Sequence, residues 1–260
     1  MKQIRWAIMP LIILGVTLSN GWAHDYWIMP QTFQPKQGAV LEVKFTSSHK
    51  YFDNQEVPDI TKFRLFLVTP QGGTIPLAYS RVESKAALAK IPISGQGTYI
   101  IGATSTKPEY WCQTTNGWER GKRAEHVNVL KAGKYVKSVK TFLSVGQASE
   151  SFKKALGHTI EIVPQVNPSM LKPGQQLTVS VLFKGRPVGG IPVFGIYEGF
   201  KSKEHSDRPV QTQTDANGIA SVKVDRSGIW IVFAKYELDT PGEKEVDYAN
   251  YRPYIMFEVQ

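Results

Sequence analysis

"KYVKSVKTFLSVG", residues 134–146, decides the fold. Apolar, β-branched and aromatic residues recur in it at a period near two, and it closes on a glycine; this is the pattern of a strand, not of a helix. The same alternation returns upstream in "AVLEVKFTSSH" (39–49), "KFRLFLVTP" (62–70) and "GTYIIGATS" (97–105). No window of similar length carries a helical stripe. The first part of the chain therefore reads as a β-sandwich.

Immediately downstream, "GQASESFKKALGH" (146–158) breaks the pattern. Its serine-containing start and helix-tolerant residues predict one short helical turn acting as a connector. A second series of strands follows: "TIEIVPQVNP" (159–168), "QLTVSVLFKG" (176–185), "IPVFGIYEGF" (191–200), "QTQTDANGIASVKVD" (211–225), "GIWIVFAKYEL" (228–238) and "YRPYIMFEVQ" (251–260). Turn residues separate them at the spacing of an immunoglobulin-like sandwich. In "LKPGQ" (171–175) and "KGRPVGG" (184–190) proline fixes φ and glycine accepts positive φ, while "DANG" (215–218) is a hairpin signal. Asp215 and Asn217 supply too few oxygen donors for calcium. The expected fold is all-β, with two immunoglobulin-like β-sandwich domains, 24–146 and 147–260, joined by a short connector; each half has enough strands to close its own core.

The amino terminus reads as a secretory signal over residues 1–23. Lys2 and Arg5 precede an apolar run, "WAIMPLIILGVTL" (6–18), shorter than a typical membrane span. Gly21 and Ala23 favour cleavage after Ala23, leaving His24 as the first residue; Ser19 and Gly21 also permit cleavage after Gly21. The mature chain is expected in the periplasm, with no transmembrane segment. Loss of Lys2 and Arg5 lowers the formal charge from +9 to +7, and the basic residues are scattered, so nucleic acid is not an expected partner. The single cysteine, Cys112, rules out an internal disulfide and lies far from the cleavage region.

Catalytic signatures are missing. There is no G-x-S-x-G elbow, no C-x-x-C and no H-E-x-x-H, and no paired acids stand out, so the expectation is a protein that is not an enzyme. What remains is a nitrogen donor set. An amino-terminal histidine chelates a divalent ion through its amine and Nδ1, and the amine loses its proton at little cost near neutral pH. His49 closes the strand "LEVKFTSSH" (41–49) and is the expected partner for His24 at one pole of the first domain; His126, in "KRAEHVNV" (122–129), is a third candidate. Such nitrogen ligands suit copper(II) and are compatible with nickel(II). His158 reads as a connector residue and His205 as part of a charged loop.

A second candidate surface is aromatic. Tyr110, Trp111 and Trp118, in "PEYWCQTTNGWERGK" (108–122), offer amphipathic rings for a sugar or an envelope component, with the bland alternative that they plug one end of a core.

Three stretches resemble the DUF4198 family: "AHDYWIMP" (23–30), the long segment from "SVGQASESFKKALGH" through "GIPVFGIYEGF" (144–200), and "TDANGIASVKVDRSGIWIVFAKYE" (214–237). The resemblance spans nearly all of the mature chain. It implies an exported β-rich protein related to periplasmic components of nickel and cobalt uptake, and with that a divalent transition metal as cofactor and a membrane metal transporter as partner. The sequence thus carries two function hypotheses: a transition-metal-binding protein that delivers or buffers its ion, and a metal-free carbohydrate- or envelope-binding module. A copper-dependent redox enzyme on an amino-terminal histidine is a third, without a substrate groove legible in the sequence.

Overall fold

The computed structural model describes residues 24–201 and 207–260; the stretch 1–23, read above as a secretory signal, and His205 lie outside the described residues. In the first half, the strands are β1 (Asp25–Pro30), β2 (Val40–Ser48), β3 (Phe63–Val68), β4 (Thr74–Leu77), β5 (Arg81–Val82), β6 (Ala87–Pro92), β7 (Gly97–Ser105), β8 (Glu109–Thr114), β9 (Gly117–Arg120) and β10 (Val129–Val145). The second half contributes β11 (Ile160–Pro164), β12 (Gln176–Phe183), β13 (Arg186–Pro187), β14 (Pro192–Tyr197), β15 (Val210–Gln213), β16 (Ile219–Lys223), β17 (Gly228–Ala234), β18 (Tyr236–Asp239) and β19 (Tyr248–Val259). The chain is all-β, and its sheets stack as sandwiches. The predicted connector holds one short 3-10 turn, Glu150–Lys153.

Three sheets are stacked. One outer sheet has the order β1-β2-β6-β5, the other joins β11, β12, β13 and β16, and between them lies a middle sheet in the order β15-β14-β17-β19-β10-β7-β3-β4. The middle sheet crosses from one half of the chain to the other at β10 and β19. These two strands pair in parallel, from Gly133↔Tyr248 to Thr141↔Met256, whereas the neighbouring pairs of the sheet are antiparallel. A parallel pair needs a long crossover, and here nearly the whole second half supplies it.

Side chains of the middle sheet alternate between the two outer sheets. Leu65, Leu67, Ile101, Ala103, Val139, Leu143, Phe233, Tyr254 and Met256 enter one core with Trp27, Ile28, Val43 and Phe45. Their neighbours Phe66, Val68, Ile100, Phe142, Trp230, Val232, Ile255 and Phe257 enter the other, with Ile162, Leu177, Val179 and Val181. Two sandwich interfaces are therefore present, one on each face. In one respect the structure differs from the expectation: neither half closes its own core, because each core takes residues from both halves. The physical reason is that the middle strands are buried on both faces, as in "GIWIVFA", where apolar residues run without polar alternation.

β10 shows the consequence best. From Lys137 to Leu143 every side chain is buried. Thr141 Oγ1 donates to the Ile28 carbonyl on one face (2.7 Å), and Ser138 Oγ donates to the Ile160 carbonyl on the other (2.6 Å). One strand thus staples all three layers together.

Candidate functional site

The antiparallel register of β1 with β2 starts at Asp25↔Ser48. Continuing it by one residue sets His24 beside His49. Their imidazole rings are in contact, with centroids 3.8 Å apart and planes tilted by 40°. His24 is 8% exposed, and its Nδ1 lies 3.5 Å from Glu56 Oε2. Glu56 is brought there by its bridge to Ser47, with backbone N–H donation in both directions at 3.0 Å. Burial lowers the pKa of His24 below its ordinary value; Glu56 opposes the shift and Lys137 adds to it. Burial therefore favours the neutral ring, the form that ligates metals.

Behind this pole lies a buried polar layer. Asp25, 2% exposed, accepts a hydrogen bond from the Tyr254 hydroxyl (2.7 Å) and pairs with Arg252 Nη1 at 3.4 Å. Glu109, 1% exposed, accepts from the Tyr26 hydroxyl (2.9 Å), Lys137 Nζ (3.0 Å) and Arg120 Nη2 (3.1 Å). Lys137 Nζ also stands 3.6 Å over the Tyr26 ring. Burial opposes ionisation of Glu109, and the charges and hydrogen bonds of Lys137, Tyr26 and Arg120 more than offset it, holding its carboxyl below the usual range. Asp25 and Tyr26 directly follow His24 in sequence, so this layer fixes the strand that His24 leads into. Asp25, Glu109, Lys137 and Arg252 do not stand out in the sequence, where a lysine or acid on a strand reads as solvent-facing.

The other candidate residues occupy a different hairpin. His126 Nε2 is 3.1 Å from the Arg120 carbonyl, and its Nδ1 is 3.1 Å from Glu119, so both ring nitrogens have partners in the β8–β9 region. It does not join His24 and His49. Tyr110 and Trp111 are successive residues of β8 and point to opposite faces, while Trp118 shares the face of Trp111 through the pairing Gln113↔Trp118. Arg120 covers one face of the Trp111 ring at 5.6 Å, and Lys122 covers one face of Tyr110 at 5.3 Å. Trp111 packs against buried Tyr135 and Tyr248. The three rings thus form no common stacking surface. Cys112 is fully buried, its thiol donating to the Gly121 carbonyl at 3.4 Å, and burial raises its pKa.

Among the described residues, no group of three or more His, Cys, Asp or Glu side chains is arranged to hold a metal ion. The His24–His49 pair supplies two imidazoles and one nearby carboxylate.

A family model described as a domain of unknown function (DUF4198) matches residues 21–238. No match was found among curated proteins. Among solved structures, the chain is similar to a DUF4785 family protein from Legionella pneumophila, at 11% identity and a TM-score of 0.27, covering 80% of this chain and 50% of that one. The chain thus spans about half the length of the Legionella protein. It is also similar to the D0-D1 domain of intimin (16% identity, TM-score 0.23, covering 88% of this chain and 96% of that one). A third likeness is to the fibronectin(III)-like modules of Clostridium thermocellum CbhA (10% identity, TM-score 0.23, covering 90% and 94%). At these identities and TM-scores the likenesses bear on no function.

Proposed function

The chain belongs to the DUF4198 family, and from that premise we propose that it is an exported, non-catalytic protein that binds a divalent transition metal at the pole formed by His24 and His49 and delivers or buffers it for uptake. One observation carries this reading: two imidazoles, from the residue just before β1 and the residue just after β2, in ring contact at 3.8 Å. Two nitrogens each roughly 2 Å from a common ion require that kind of approach. Signal cleavage after Ala23 would add the His24 amine, giving three nitrogen donors, a set that copper(II) favours and nickel(II) accepts. Burial of the His24 imidazole favours the neutral form, which binds without displacing a proton. Nickel or cobalt, and a membrane transporter as recipient, are what the family resemblance implies; copper is what the donor chemistry suggests. Bound metal would supply charge and ligand exchange, while the chain's own part is to hold β1 still, through Asp25, Tyr26 and the layer beneath them.

The test uses mature protein beginning at His24, the same protein extended by one residue, and His49→Ala, each titrated with copper(II) and nickel(II) and followed by electron paramagnetic resonance or calorimetry. The mature form should bind one ion. Extension or His49→Ala should weaken binding by at least about a hundredfold, roughly 2.7 kcal/mol, with unchanged thermal stability without metal. Equal affinity in all three forms, or no binding by the first, overturns the proposal.

A further inference from the structure

The outer sheet containing β11 does not extend over the whole middle sheet. At the far edge, the face of β3 and β4 is covered instead by the connector, and the cover is incomplete. A cavity of about 430 Å³ remains between Arg64, Phe66, Thr74 and Pro76 on the hairpin and Lys154, Ala155, Leu156 and His158 on the connector. It is separate from the histidine pole and plays no part in the reading above.

Its walls are of two kinds. Phe66, Pro76, Ala155 and Leu156 make an apolar side. The ring of Phe66 lies flat across β7 because position 102 is glycine: a Cβ there would stand 2.2 Å from Phe66 Cζ. Arg64 and Lys154 bring two cationic side chains, Lys154 tethered by Nζ donation to the Gly72 carbonyl, and among the described residues no carboxylate lines the space. The neighbouring acid, Glu161, is turned inward, with its oxygens taken by Lys140 Nζ (2.6 Å) and by the backbone N–H groups of Leu156 (2.9 Å) and Gly157 (3.0 Å).

His158 is the anomaly. Its imidazole is 5% exposed, lies edge-on to Phe66 with centroids 5.5 Å apart, and lines the cavity. Its Nδ1 is buried with no hydrogen-bond partner among the described residues. An orphaned buried nitrogen costs roughly 1–3 kcal/mol of desolvation, which a wall built only for packing would avoid by placing an apolar residue there. Burial, with Arg64 and Lys140, drives its pKa down to about 4 against the pull of Glu161, so the ring is uncharged at neutral pH.

From this combination we infer that the cavity is a binding site for a small organic monoanion, a carboxylate on an apolar body. The carboxylate pairs with Arg64 and Lys154 at the mouth, the body lies on Phe66, Pro76 and Leu156, and His158 edges the inner end. Cavities of this size accommodate small ligands. A bare inorganic anion would leave the apolar wall unused, and a neutral molecule would leave the two cations unused.

The test is titration of the isotopically labelled chain with octanoate, octanamide and inorganic phosphate, followed by amide chemical shifts. Octanoate should give saturable shifts at Thr74, Leu156 and Gly157, with a dissociation constant on the order of millimolar or tighter. Octanamide and phosphate should each bind at least about fivefold more weakly. Arg64→Gln should weaken octanoate at least about fivefold; because Arg64 is exposed, its spectrum away from the cavity should be unchanged. No saturable shift with octanoate, octanamide or phosphate equal to octanoate, or full affinity in Arg64→Gln would each overturn the inference.

Discussion

Lys137 and Lys140 stand three residues apart on β10 and enter opposite layers of the molecule, each ending on a buried carboxylate. Lys137 Nζ reaches Glu109 at 3.0 Å, and Lys140 Nζ reaches Glu161 at 2.6 Å. An odd spacing on a strand always sends two side chains to opposite faces. Only a strand covered on both sides turns that spacing into two buried ion pairs, one tied to β8 and one to β11.

Removing one partner leaves the other charge buried and uncompensated, at a cost of about 3–5 kcal/mol. Glu161→Ala should therefore destabilise the protein by that amount in urea unfolding. The double variant Lys140→Met, Glu161→Leu should recover part of the loss but not all, since the N–H groups of Leu156 and Gly157 lose their acceptor. A double variant as unstable as the single one would mean that the buried charge is not the source of the cost.

The pairing of β10 with β19 makes the halves one cooperative unit. Calorimetry should show a single thermal transition, and a fragment of residues 24–146 should fail to fold, because Ile100, Phe142, Phe66 and Val68 would lose their cover. Two separate transitions, or a fragment with dispersed amide resonances, would show instead that the halves stand alone.

Gly133 sits at the seam, paired with Tyr248. A Cβ at this position would lie 2.3 Å from Tyr248 Cζ, and that ring is held by the 2.6 Å hydrogen bond between the Tyr248 and Tyr135 hydroxyls. Gly133→Ala should destabilise by about 1–3 kcal/mol through overpacking. The companion variant Gly133→Ala, Tyr248→Leu should relieve most of it; chemical denaturation of both checks the contact.

The stability of the protein should depend on His158 between pH 6.5 and about 4. Its folded pKa is depressed to about 4 from 6.5 by burial first and then by Lys140 and Arg64. The unfolded chain therefore takes up the proton first, so the stabilisation present above pH 6.5 is lost as pH falls toward 4. By linkage, going from pH 7.5 to pH 5 should cost about 2 kcal/mol at this site. His158→Gln should flatten the stability curve by that amount in this window; identical slopes for both proteins would remove the assignment.

Much of this was open to sequence reading. The strands, the turns at 171–175 and 215–218 and the connector follow from local pattern, because side-chain alternation and turn chemistry act over neighbouring residues; the approach of His24 to His49 follows from one strand starting at the pole where its neighbour ends. The burial of Lys137, Glu109 and Asp25 does not follow, since a polar residue in a strand is ordinarily placed toward water. His126 illustrates the same limit: it is a third candidate ligand in the sequence, and its nitrogens are used by Glu119 and the Arg120 carbonyl.

By itself the sequence determined an all-β chain of two strand series with a histidine at the start of the first strand, for these depend on periodicity, turn chemistry and the order of residues along the backbone. The tertiary structure alone decided that the two series share a middle sheet. Pairing β10 with β19 joins residues more than a hundred positions apart, such as Gly133 and Tyr248, and no local pattern specifies a partner at that distance. The choice rests on which apolar faces must be covered at once: Ile255 and Phe257 on one side of β19 and Tyr254 and Met256 on the other leave water no face to occupy.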